Sequence, residues 1–363
     1  MKITIVTKNL CAGGAERVIV QLLDNWVKQG VKCNLILLDK REHFYIPNKF
    51  VVMHEIGLLS RFRVIDKFKK YATVRKIVKK EKTDIVLSMP EEIGIFVIGA
   101  LLGTKIPVVV SERNNPWVMP NKKVTRALRK MLYPRAAGLI FQTKQAASFF
   151  SPKLQQKGIV LPNPLDLSRI PEPYADEREK IIIGAGRLEK QKNFDLLIDA
   201  FADFYKTHSD YKLVIYGEGS LRTSLEEHAK SCLPDGAWSM PGRVTDLPER
   251  LNKASAFVLS SDYEGMPNVL IEAMAMGVPC VSVDCAPGGA AELIEDGING
   301  YLVPVGDRKS LNEKLSYLID NSNVAQAFSK KSIEIKELLR SDIVSEDWNK
   351  YLFNKIIEKE TKC

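Results

Sequence analysis

Short apolar runs recur along the chain, and between them lie longer segments whose apolar residues repeat at three- and four-residue steps. The short runs predict buried strands, and the longer segments predict helices that cover a sheet. Regular alternation of the two indicates an α/β fold with parallel sheets. The predicted strands are Lys2–Thr7, Lys32–Leu38, Phe50–Glu55, Asp84–Ser88, Val108–Ser111, Gly138–Thr143, Lys212–Tyr216 and Ala256–Leu259.

One segment interrupts this alternation, because four prolines between Pro162 and Pro173 are followed by a run of charged residues. Such composition is typical of a linker. A chain of 363 residues is long enough for two domains with separate cores. We therefore predict one domain over residues 1–165, a second over 166–340 and a terminal helix within 341–363.

The stretch Ser261–Pro279 combines a glycine- and proline-containing loop with a short predicted helix. Asn268 is suited to the N-cap, Val269–Met276 to the helix body and Gly277 to the left-handed position after it. The first amides of such a helix, on Val269, Leu270 and Ile271, lack carbonyl partners and lie at the positive end of the dipole. The pattern therefore predicts an anion site suited to phosphate.

Glu264 and Glu272 lie on either side of this predicted anion site. Carboxylates beside a phosphate site are suited to accept hydrogen bonds from hydroxyls, which a sugar and a ribose supply. The spacing Glu, seven residues, Glu within EGMPNVLIEAMAMGVPC resembles the signature of retaining glycosyltransferases of the family-4 type, which use nucleotide sugars. The alternative is an ordinary βα unit in which Glu272 only complements a helix dipole.

This resemblance implies a GT-B fold, in which two Rossmann-like domains face each other across a cleft and the helix in 341–363 returns to the first domain. It implies that Glu264 contacts the hydroxyls of the donor sugar and that Glu272 holds the ribose. The residues it implies for binding the sugar and the diphosphate are Gly265, Met266, Pro267, Asn268, Val269 and Leu270.

The segment IIIGAGRLEKQKNF places Arg187 and Lys192 beside glycines where a strand is predicted to end. Two cations near a backbone turn of this kind are suited to a diphosphate, although solvated surface charges are the alternative. The segment also resembles the G-x-G-R-L-x-x-x-K-N motif of the same family, which makes Arg187 and Lys192 diphosphate ligands. In PGRVTDLP, the resemblance implies main-chain contacts to the nucleobase near Arg243 and Val244.

The N-terminal half contributes two further candidates. Gly13 and Gly14 follow the first strand without a complete G-x-G-x-x-G, so binding of a dinucleotide is poorly supported. The sequence GGAER resembles the family loop that reaches the donor diphosphate, which implies a contact at Gly14; a plain tight turn is the alternative. Arg113 stands where many relatives have a histidine thought to assist the acceptor. Arginine stays protonated, so it would orient a phosphate or carboxylate, and Glu112 could simply pair with it.

Charge is divided unevenly, since residues 1–165 carry a net +18 and the remainder −9. The nucleic-acid-binding motifs that would explain this asymmetry are missing, so an anionic membrane surface is the expected partner and nucleic acid is not. Ten basic and two acidic residues accompany an apolar stripe in Arg61–Lys82, which predicts a basic amphipathic helix. We expect its stripe to pack inward while its lysines contact lipid; an ordinary surface helix is the alternative. A second basic block, Asn121–Arg135, lies in the same half.

The cysteines, histidines and apolar segments limit what can be expected for disulfides, metal binding and membrane insertion. Six cysteines, the last being Cys363, form neither a CxxC pair nor a dense disulfide framework, and the start MKITIV has no signal-peptide pattern. The longest apolar stretch, Ile93–Leu102, is about half of what a bilayer crossing requires. Histidines are scattered, and Asp262-Tyr263-Glu264 is the nearest approach to an acidic metal motif. We expect a metal-independent protein without a cofactor, located in the cytoplasm and bound peripherally to the inner face of the membrane.

These observations lead to one functional expectation. The protein is expected to transfer a hexose or N-acetylhexosamine, with retention of anomeric configuration, from a UDP-sugar to a lipid-linked saccharide used in envelope polysaccharide or glycan assembly. The departing diphosphate would be stabilised by Arg187, Lys192 and helix amides. Two alternatives remain open: a sugar-nucleotide epimerase of the same architecture, and a non-catalytic protein that binds nucleotide sugars.

Overall fold

The computed structural model describes residues 1–11 and 13–361. The chain divides into two compact units, which we call unit 1 (Met1–Pro164 with Ser341–Cys363) and unit 2 (Leu165–Arg340). Leu165, assigned to the first domain from sequence, therefore belongs to unit 2, where its amide donates to the carbonyl of Leu339 at 2.6 Å. Cys363 lies outside the described residues.

Unit 1 contains a parallel sheet of seven strands in the order β3-β2-β1-β4-β5-β6-β7. Nearly every residue of β1 and β5 is buried, as expected for strands covered on both faces. The strands are β1 (Lys2–Thr7), β2 (Lys32–Leu37), β3 (Val52–Glu55), β4 (Ile85–Ser88), β5 (Val108–Ser111), β6 (Gly138–Phe141) and β7 (Gly158–Val160).

Helices cover this sheet and connect its strands. The helix α1 buries Val18, Leu22 and Trp26 against the sheet, and Gly30 follows its end with φ +78°. The helices before the domain boundary are α1 (Gly14–Lys28), α2 (Arg63–Lys80), α3 (Glu91–Leu101), α4 (Lys123–Leu132), α5 (Lys144–Ser148) and α6 (Pro152–Gln155), and a 3₁₀ turn spans Tyr133–Arg135.

Unit 2 contains a parallel sheet of six strands in the order β10-β9-β8-β11-β12-β13. Its strands are β8 (Glu179–Ala185), β9 (Lys212–Tyr216), β10 (Trp238–Gly242), β11 (Ala254–Leu259), β12 (Cys280–Val283) and β13 (Tyr301–Val303). Its helices are α7 (Phe194–Tyr205), α8 (Arg222–Cys232), α9 (Leu247–Lys253), α10 (Asn268–Ala275), α11 (Arg308–Asp320), α12 (Ser322–Ser332) and α13 (Ile335–Leu338), with 3₁₀ turns at Leu167–Arg169 and Lys190–Lys192.

In each sheet the strand order reverses beside the first strand of the unit. In unit 1 this point lies between β1 and β4, and in unit 2 it lies between β8 and β11. Ligands of open α/β sheets bind outside the carboxyl ends of the strands at such a reversal. The topology therefore selects the loops that follow these strands as the places to look for function.

The terminal helix α14 (Ser341–Glu360) packs within unit 1, as predicted. The indole of Trp26 donates to the carbonyl of Ser345 at 2.9 Å, and the buried Trp348 donates to the carbonyl of Pro162 at 3.3 Å. Tyr351 is bonded to the main chain of Leu139 in β6. The last helix in the chain thus completes the core that the first strands begin.

The basic helix α2 differs from expectation in its first half. Val74 and Val78 are buried, so the second half of the apolar stripe packs inward as predicted. The first half of the stripe does not pack inward. Phe62, Val64 and Phe68 are each more than half exposed, and Ile65 nearly so. Hydrophobic periodicity identified the stripe, but packing against the rest of unit 1 decided how much of that stripe is covered.

Candidate functional site

The strand reversal of unit 2 brings together two loops that the sequence places about 70 residues apart. One loop, 186–193, follows β8, and the other, 260–267, follows β11. The amide of Asp262 donates to the carbonyl of Gln191 at 2.9 Å, and the Ser260 hydroxyl donates to the carbonyl of Lys192, also at 2.9 Å. Main-chain atoms therefore fix the two loops to each other.

An ion pair between Lys192 and Glu264 lies at the centre of these loops. The ammonium Nζ of Lys192 donates to Oε2 of Glu264 at 2.9 Å, and the side chains are only 12% and 14% exposed. Gln191 donates to the carbonyl of Tyr263 at 2.9 Å and to the same Glu264 oxygen at 3.3 Å. A partly buried carboxylate is thus held in place by two donors from the facing loop.

Arg187 joins this group from the side that faces solvent. Its side chain is exposed, and Nη2 donates to Oε1 of Gln191 at 3.3 Å. Gln191 therefore links Arg187 to Glu264. The two cations predicted to act together, Arg187 and Lys192, are brought together by a residue that sequence reasoning did not select.

Asn193 and Asp262 were also missed. Asn193 has φ +45°, a left-handed conformation that asparagine tolerates better than most residues, and its side chain caps α7 by accepting from the amide of Leu196 at 3.3 Å. Its amide nitrogen Nδ2 donates to Oδ1 of Asp262 at 2.7 Å. An asparagine directly before an apolar helical pattern is the one sequence signal that could have identified this cap.

The helix α10 begins one residue earlier than predicted. Asn268 is its first residue and Pro267 occupies the N-cap position, so the assignment of Asn268 as N-cap is wrong. Leu270 and Ile271 both donate their amides to the carbonyl of Pro267 at 3.2 Å, so these two amides are already bonded within the first turn. The first two amides of the helix are those of Asn268 and Val269. The prediction placed the first turn too late because proline can precede a helix without a side-chain cap.

The carboxylate-bearing Glu272 lies within α10 and is almost completely buried. Gly265, Met266 and Pro267 in the preceding loop are buried too, whereas Asn268 and Val269 are partly exposed. Gly277 has the predicted left-handed conformation after the helix, at φ +67°. The stretch is therefore a tightly packed loop followed by a helix whose first two residues are partly exposed.

Two glycines allow close approaches of main chain at this edge of the sheet. A Cβ atom at Gly289 would lie 1.4 Å from the carbonyl oxygen of Gly265, and one at Gly217 would lie 1.7 Å from that of Gly186. The amide of Glu264 donates to the carbonyl of Ala286 at 3.2 Å, so the loop after β12 supports the loop after β11. Only glycine fits at these positions without moving a neighbouring main chain.

Arg243 and Val244 follow β10 at the same edge of the sheet. Arg243 is exposed and Val244 is half-buried against the core beneath α10. The amide of Gly217 donates to the carbonyl of Gly242 at 3.0 Å, which ties the ends of β9 and β10 together. The loop predicted to contact a base is therefore anchored on the glycine turn that approaches Gly186.

The remaining two predicted residues, Gly14 and Arg113, lie in unit 1. Gly14 is the exposed first residue of α1, after the loop that follows β1. Arg113 follows β5, donates through Nη2 to Oδ1 of Asn163 and lies 6.0 Å from the ring centroid of Trp348. Burial lowers the pKa of Arg113 to about 10, so its guanidinium is still charged at neutral pH.

Glu112 does not pair with Arg113, contrary to one of the two sequence interpretations. Its carboxylate accepts from the hydroxyl of Tyr133 and lies 3.9 Å from a guanidinium nitrogen of Arg129. Burial raises the pKa of Glu112 to about 8, with a further rise from the neighbouring Glu91. Successive residues of an extended chain point in opposite directions, which is why Glu112 and Arg113 have different partners.

A group of possible metal ligands lies on α7 and α8. Donor atoms of Asp199, His228 and Cys232 lie within 4.8 Å of one another. Oxygens of Asp195 and Asp199 lie 2.8 and 2.9 Å from the two ring nitrogens of His228, so ion pairs between the two helices account for this arrangement. The signal that sequence reasoning overlooked is the four-residue spacing, one helical turn, between Asp195 and Asp199 and between His228 and Cys232.

In chemical terms, unit 2 offers two cations, a helix terminus and close-packed glycines around two carboxylates. Cations and main-chain amides bind phosphate oxygens, and carboxylates accept hydrogen bonds from hydroxyls. The arrangement fits a ligand that carries phosphates and hydroxyl groups. Among the helices described in either unit, none is long and apolar enough to cross a bilayer.

Comparison with known proteins agrees with this chemistry. A model described as Glycosyltransferase Family 4 matches residues 12–169, and one described as Glycosyl transferases group 1 matches residues 169–335. Together they cover most of the chain.

Two similar proteins come from Campylobacter jejuni. GalNAc-alpha-(1->4)-GalNAc-alpha-(1->3)-diNAcBac-PP-undecaprenol alpha-1,4-N-acetyl-D-galactosaminyltransferase is 29% identical over 97% of this chain and 98% of its own. N-acetylgalactosamine-N,N'-diacetylbacillosaminyl-diphospho-undecaprenol 4-alpha-N-acetylgalactosaminyltransferase is 28% identical over 97% and 99%. The solved structure of Alr3699/HepE from Anabaena with UDP and glucose matches with a TM-score of 0.83 at 15% identity, covering 98% of this chain and all of that one.

Proposed function

The chain belongs to the family-4 glycosyltransferases and has their GT-B fold, and we propose from this premise that it is a retaining enzyme with a UDP-sugar donor and a lipid-linked saccharide acceptor. The sugar we propose is a hexose or N-acetylhexosamine. The observation that carries the donor assignment is the Lys192–Glu264 ion pair beside Arg187 at the strand reversal of unit 2. This pair supports the proposal because a cation suited to phosphate lies beside a carboxylate suited to hydroxyls.

Each donor-binding group has a role that follows from its chemistry. Arg187 and Lys192 bind the diphosphate, and the first amides of α10 stabilise the same charge. Glu264, held by Lys192 and Gln191, accepts hydrogen bonds from hydroxyls of the sugar. Glu272 holds the ribose, and the main chain at Arg243 and Val244 contacts the base. Support for UDP comes from the HepE structure, which is a complex with UDP and glucose.

The proposed reaction occurs on one face of the sugar. The acceptor hydroxyl oxygen forms a bond to the anomeric carbon while the bond from that carbon to the diphosphate oxygen breaks. The proton of the hydroxyl passes to the departing diphosphate oxygen, so UDP leaves and the configuration is retained. The charge that develops on the diphosphate is stabilised by Arg187 and Lys192.

Unit 1 is proposed to bind the acceptor. Its Arg113 is charged at neutral pH and follows β5 at the carboxyl edge of the sheet, where it is suited to orient a phosphate of the acceptor. Both Campylobacter relatives carry a diphospho-undecaprenol or PP-undecaprenol saccharide in their names. We extend this acceptor class to the present chain, and we keep Gly14 as a proposed contact to the diphosphate.

The membrane surface that such an acceptor requires is proposed to contact α2. Its exposed start presents Phe62, Val64 and Phe68 beside the exposed Lys67 and Lys69. Apolar side chains that are already exposed can enter the interfacial region of a bilayer while lysines contact anionic headgroups. This surface combines both attractions, whereas the sequence alone suggested only the electrostatic one. We propose peripheral binding to the inner face of the cell membrane.

Purified protein supplied with UDP-GalNAc, UDP-GlcNAc, UDP-glucose or UDP-galactose and a short-chain diphospholipid-linked saccharide tests this proposal. We expect release of UDP and an acceptor lengthened by one α-linked sugar with one of these donors. The same activity in excess EDTA is expected, because the proposed site uses cations of the protein in place of a metal.

Two results would contradict the proposal. An epimerised donor formed without any acceptor would identify an epimerase, and tight donor binding without UDP release for any acceptor tried would identify a binding protein. Arg187→Gln should weaken UDP binding, whereas Lys190→Gln, which removes an exposed charge from the same loop, should not.

A further inference from the structure

One tryptophan of unit 1 is exposed. Trp117 is 43% exposed, whereas Trp26 and Trp348 are completely buried and Trp238 is half-buried. Trp117 lies four residues after Arg113 in the loop that follows β5. A large apolar ring left in solvent at the functional edge of a sheet is a candidate for ligand contact.

The loop that carries Trp117 is held by two arginines of α4. Arg129 donates to the carbonyls of Pro116 and Met119 at 2.9 and 2.8 Å. Arg126 donates to the carbonyls of Val118 and Pro120, both at 2.7 Å. Four of the five carbonyls from Pro116 to Pro120 thus accept hydrogen bonds from arginine. This network fixes the main chain on both sides of Trp117.

The ring itself is supported from below. Its centroid lies 5.2 Å from that of Phe149, at an interplanar angle of 79°. The guanidinium of Arg129, almost completely buried, lies 4.7 Å from the Phe149 ring centroid and 3.9 Å from the Glu112 carboxylate. Trp117 therefore packs edge-to-face on Phe149, whose ring is itself partly exposed and lies over the buried guanidinium of Arg129.

We infer that Trp117 is a stacking platform for a sugar ring of the acceptor saccharide, and that Arg126 and Arg129 position it. This inference rests on the proposed function. A pyranose presents a face of C–H groups, which packs on an aromatic ring, while its hydroxyls remain free for polar contacts. A ring that is fixed before binding loses little conformational freedom when the sugar stacks on it.

A lipid contact is the competing explanation, because tryptophan is also favoured at membrane interfaces. Two features favour the saccharide. The exposed apolar residues at the start of α2 form a group of four, whereas Trp117 has Val118 exposed beside it in the loop and the partly exposed Phe149 against its ring. The arginine hydrogen bonds to the loop and the contact with Phe149 also restrict where the Trp117 ring can lie, which favours a pyranose face over a fluid lipid.

The test compares steady-state constants of Trp117→Ala, Trp117→Phe and Arg126→Gln with wild type on two acceptors. One acceptor carries the saccharide on a full-length lipid in anionic vesicles, and the other carries the same saccharide on a short water-soluble chain. Tyr317→Ala, which removes an exposed aromatic ring from unit 2, is the matched control.

Trp117→Ala should raise the KM for both acceptors by about 3- to 10-fold, the range expected for loss of an aromatic contact. The KM for the donor should not change, and Trp117→Phe should recover most of the loss. Arg126→Gln should raise the same KM with Trp117 still present. A defect confined to the lipid-embedded acceptor would assign Trp117 to the membrane and overturn the inference, as would unchanged constants with both acceptors.

A measurement independent of activity separates this inference from the proposed function. Saturation-transfer NMR with the methyl glycoside of an α-1,4-linked GalNAc disaccharide should show transfer to the sugar C–H protons in wild type and a marked loss in Trp117→Ala. If Trp117→Ala loses this signal but the wild-type protein has no transferase activity, the result would support the stacking platform and refute the proposed transferase function. Transferase activity without any dependence on Trp117 would refute the platform alone.

Discussion

The ammonium of Lys192 donates to the carboxylate of Glu264 at 2.9 Å, with both side chains largely removed from solvent. A proposed ligand of the diphosphate is thus paired with a proposed ligand of the sugar. Binding of a diphosphate would draw on the same ammonium. The two residues should therefore not behave as independent contributors.

Substitution of this pair should give non-additive changes in UDP affinity. Lys192→Met should weaken UDP binding by about 1.5–3 kcal/mol, the range for a charge-assisted hydrogen bond. Glu264→Gln should leave UDP affinity unchanged or raise it, because Lys192 then faces the diphosphate without a competing carboxylate, yet turnover should fall. Calorimetry on both single variants and the double variant measures the coupling, expected at about 0.5–3 kcal/mol. Strict additivity would contradict a shared role.

Glu272→Gln should reduce the affinity for UDP, unlike Glu264→Gln. Glu272 is almost completely buried in α10, and removing its charge weakens a hydrogen bond to a ribose hydroxyl by about 1.5–3 kcal/mol. Titration with UDP and with an intact UDP-sugar distinguishes the two carboxylates. Equal losses of UDP affinity in both variants would refute the division of roles between sugar and ribose.

Gly289→Ala should abolish donor binding while leaving unit 1 folded. The added Cβ would lie 1.4 Å from the carbonyl oxygen of Gly265, so the loop that precedes α10 must move. Ala291→Ser, at an exposed position two residues later, is the control and should bind donor normally. Wild-type UDP affinity in Gly289→Ala would show that the position of the Gly265 loop does not matter for the nucleotide.

Glu112 should make the protein less stable as pH rises from about 5 to 8. Its pKa is about 8 in the folded protein, against an ordinary value of 4.5. Between these values the folded state retains a proton that the unfolded state has lost. Stability therefore falls with rising pH, by up to about 1.4 kcal/mol per pH unit, and levels off above pH 8.

Glu112→Gln, which cannot ionise, should remove this part of the pH dependence. The difference in melting temperature between variant and wild type should shift in favour of the variant from pH 5 to 8. Glu92→Gln, at an exposed carboxylate nearby, should run parallel to wild type. Parallel curves for Glu112→Gln as well would show that Glu112 is ionised in the folded protein.

The start of α2 should bind anionic vesicles through both its apolar and its basic side chains. Phe62→Ser with Phe68→Ser should reduce vesicle recovery at every salt concentration, because apolar insertion is not screened. Replacing Lys67, Lys69 and Lys76 with Gln should reduce recovery chiefly at low salt, since the screening length falls from about 10 Å at 0.1 M to about 3 Å at 1 M. Cosedimentation measures both effects.

Lys70 is left unchanged in this design because it pairs with Asp39 and Asp66 within the fold. Replacing the exposed Lys230, Lys309 and Lys330 of unit 2 provides a control with the same change in charge. If that control reduces recovery as much as the α2 variants do, binding is a matter of net charge and the proposed surface is wrong. Activity on a water-soluble acceptor should be retained in all of these variants.

The amino-acid sequence by itself determined the fold class, the family and much of the donor region. The strands β1, β5 and β9 have the predicted bounds, because buried parallel strands are near-continuous apolar runs. The family resemblance, confirmed by the two matching models, rested on Glu264, Glu272 and the segment around Arg187. The apolar runs and the family motifs each lie within a short segment, so they can be recognised without knowledge of the tertiary structure.

Only the tertiary structure decided how distant segments meet. Gln191 and Asp262 join loops about 70 residues apart, and Glu112 pairs with Tyr133 and Arg129 in place of Arg113. Periodicity specifies which side of a helix is apolar, but the extent of the neighbouring surface decides how far that side is buried. For this reason α2 covers the core with its second half and leaves its first half exposed.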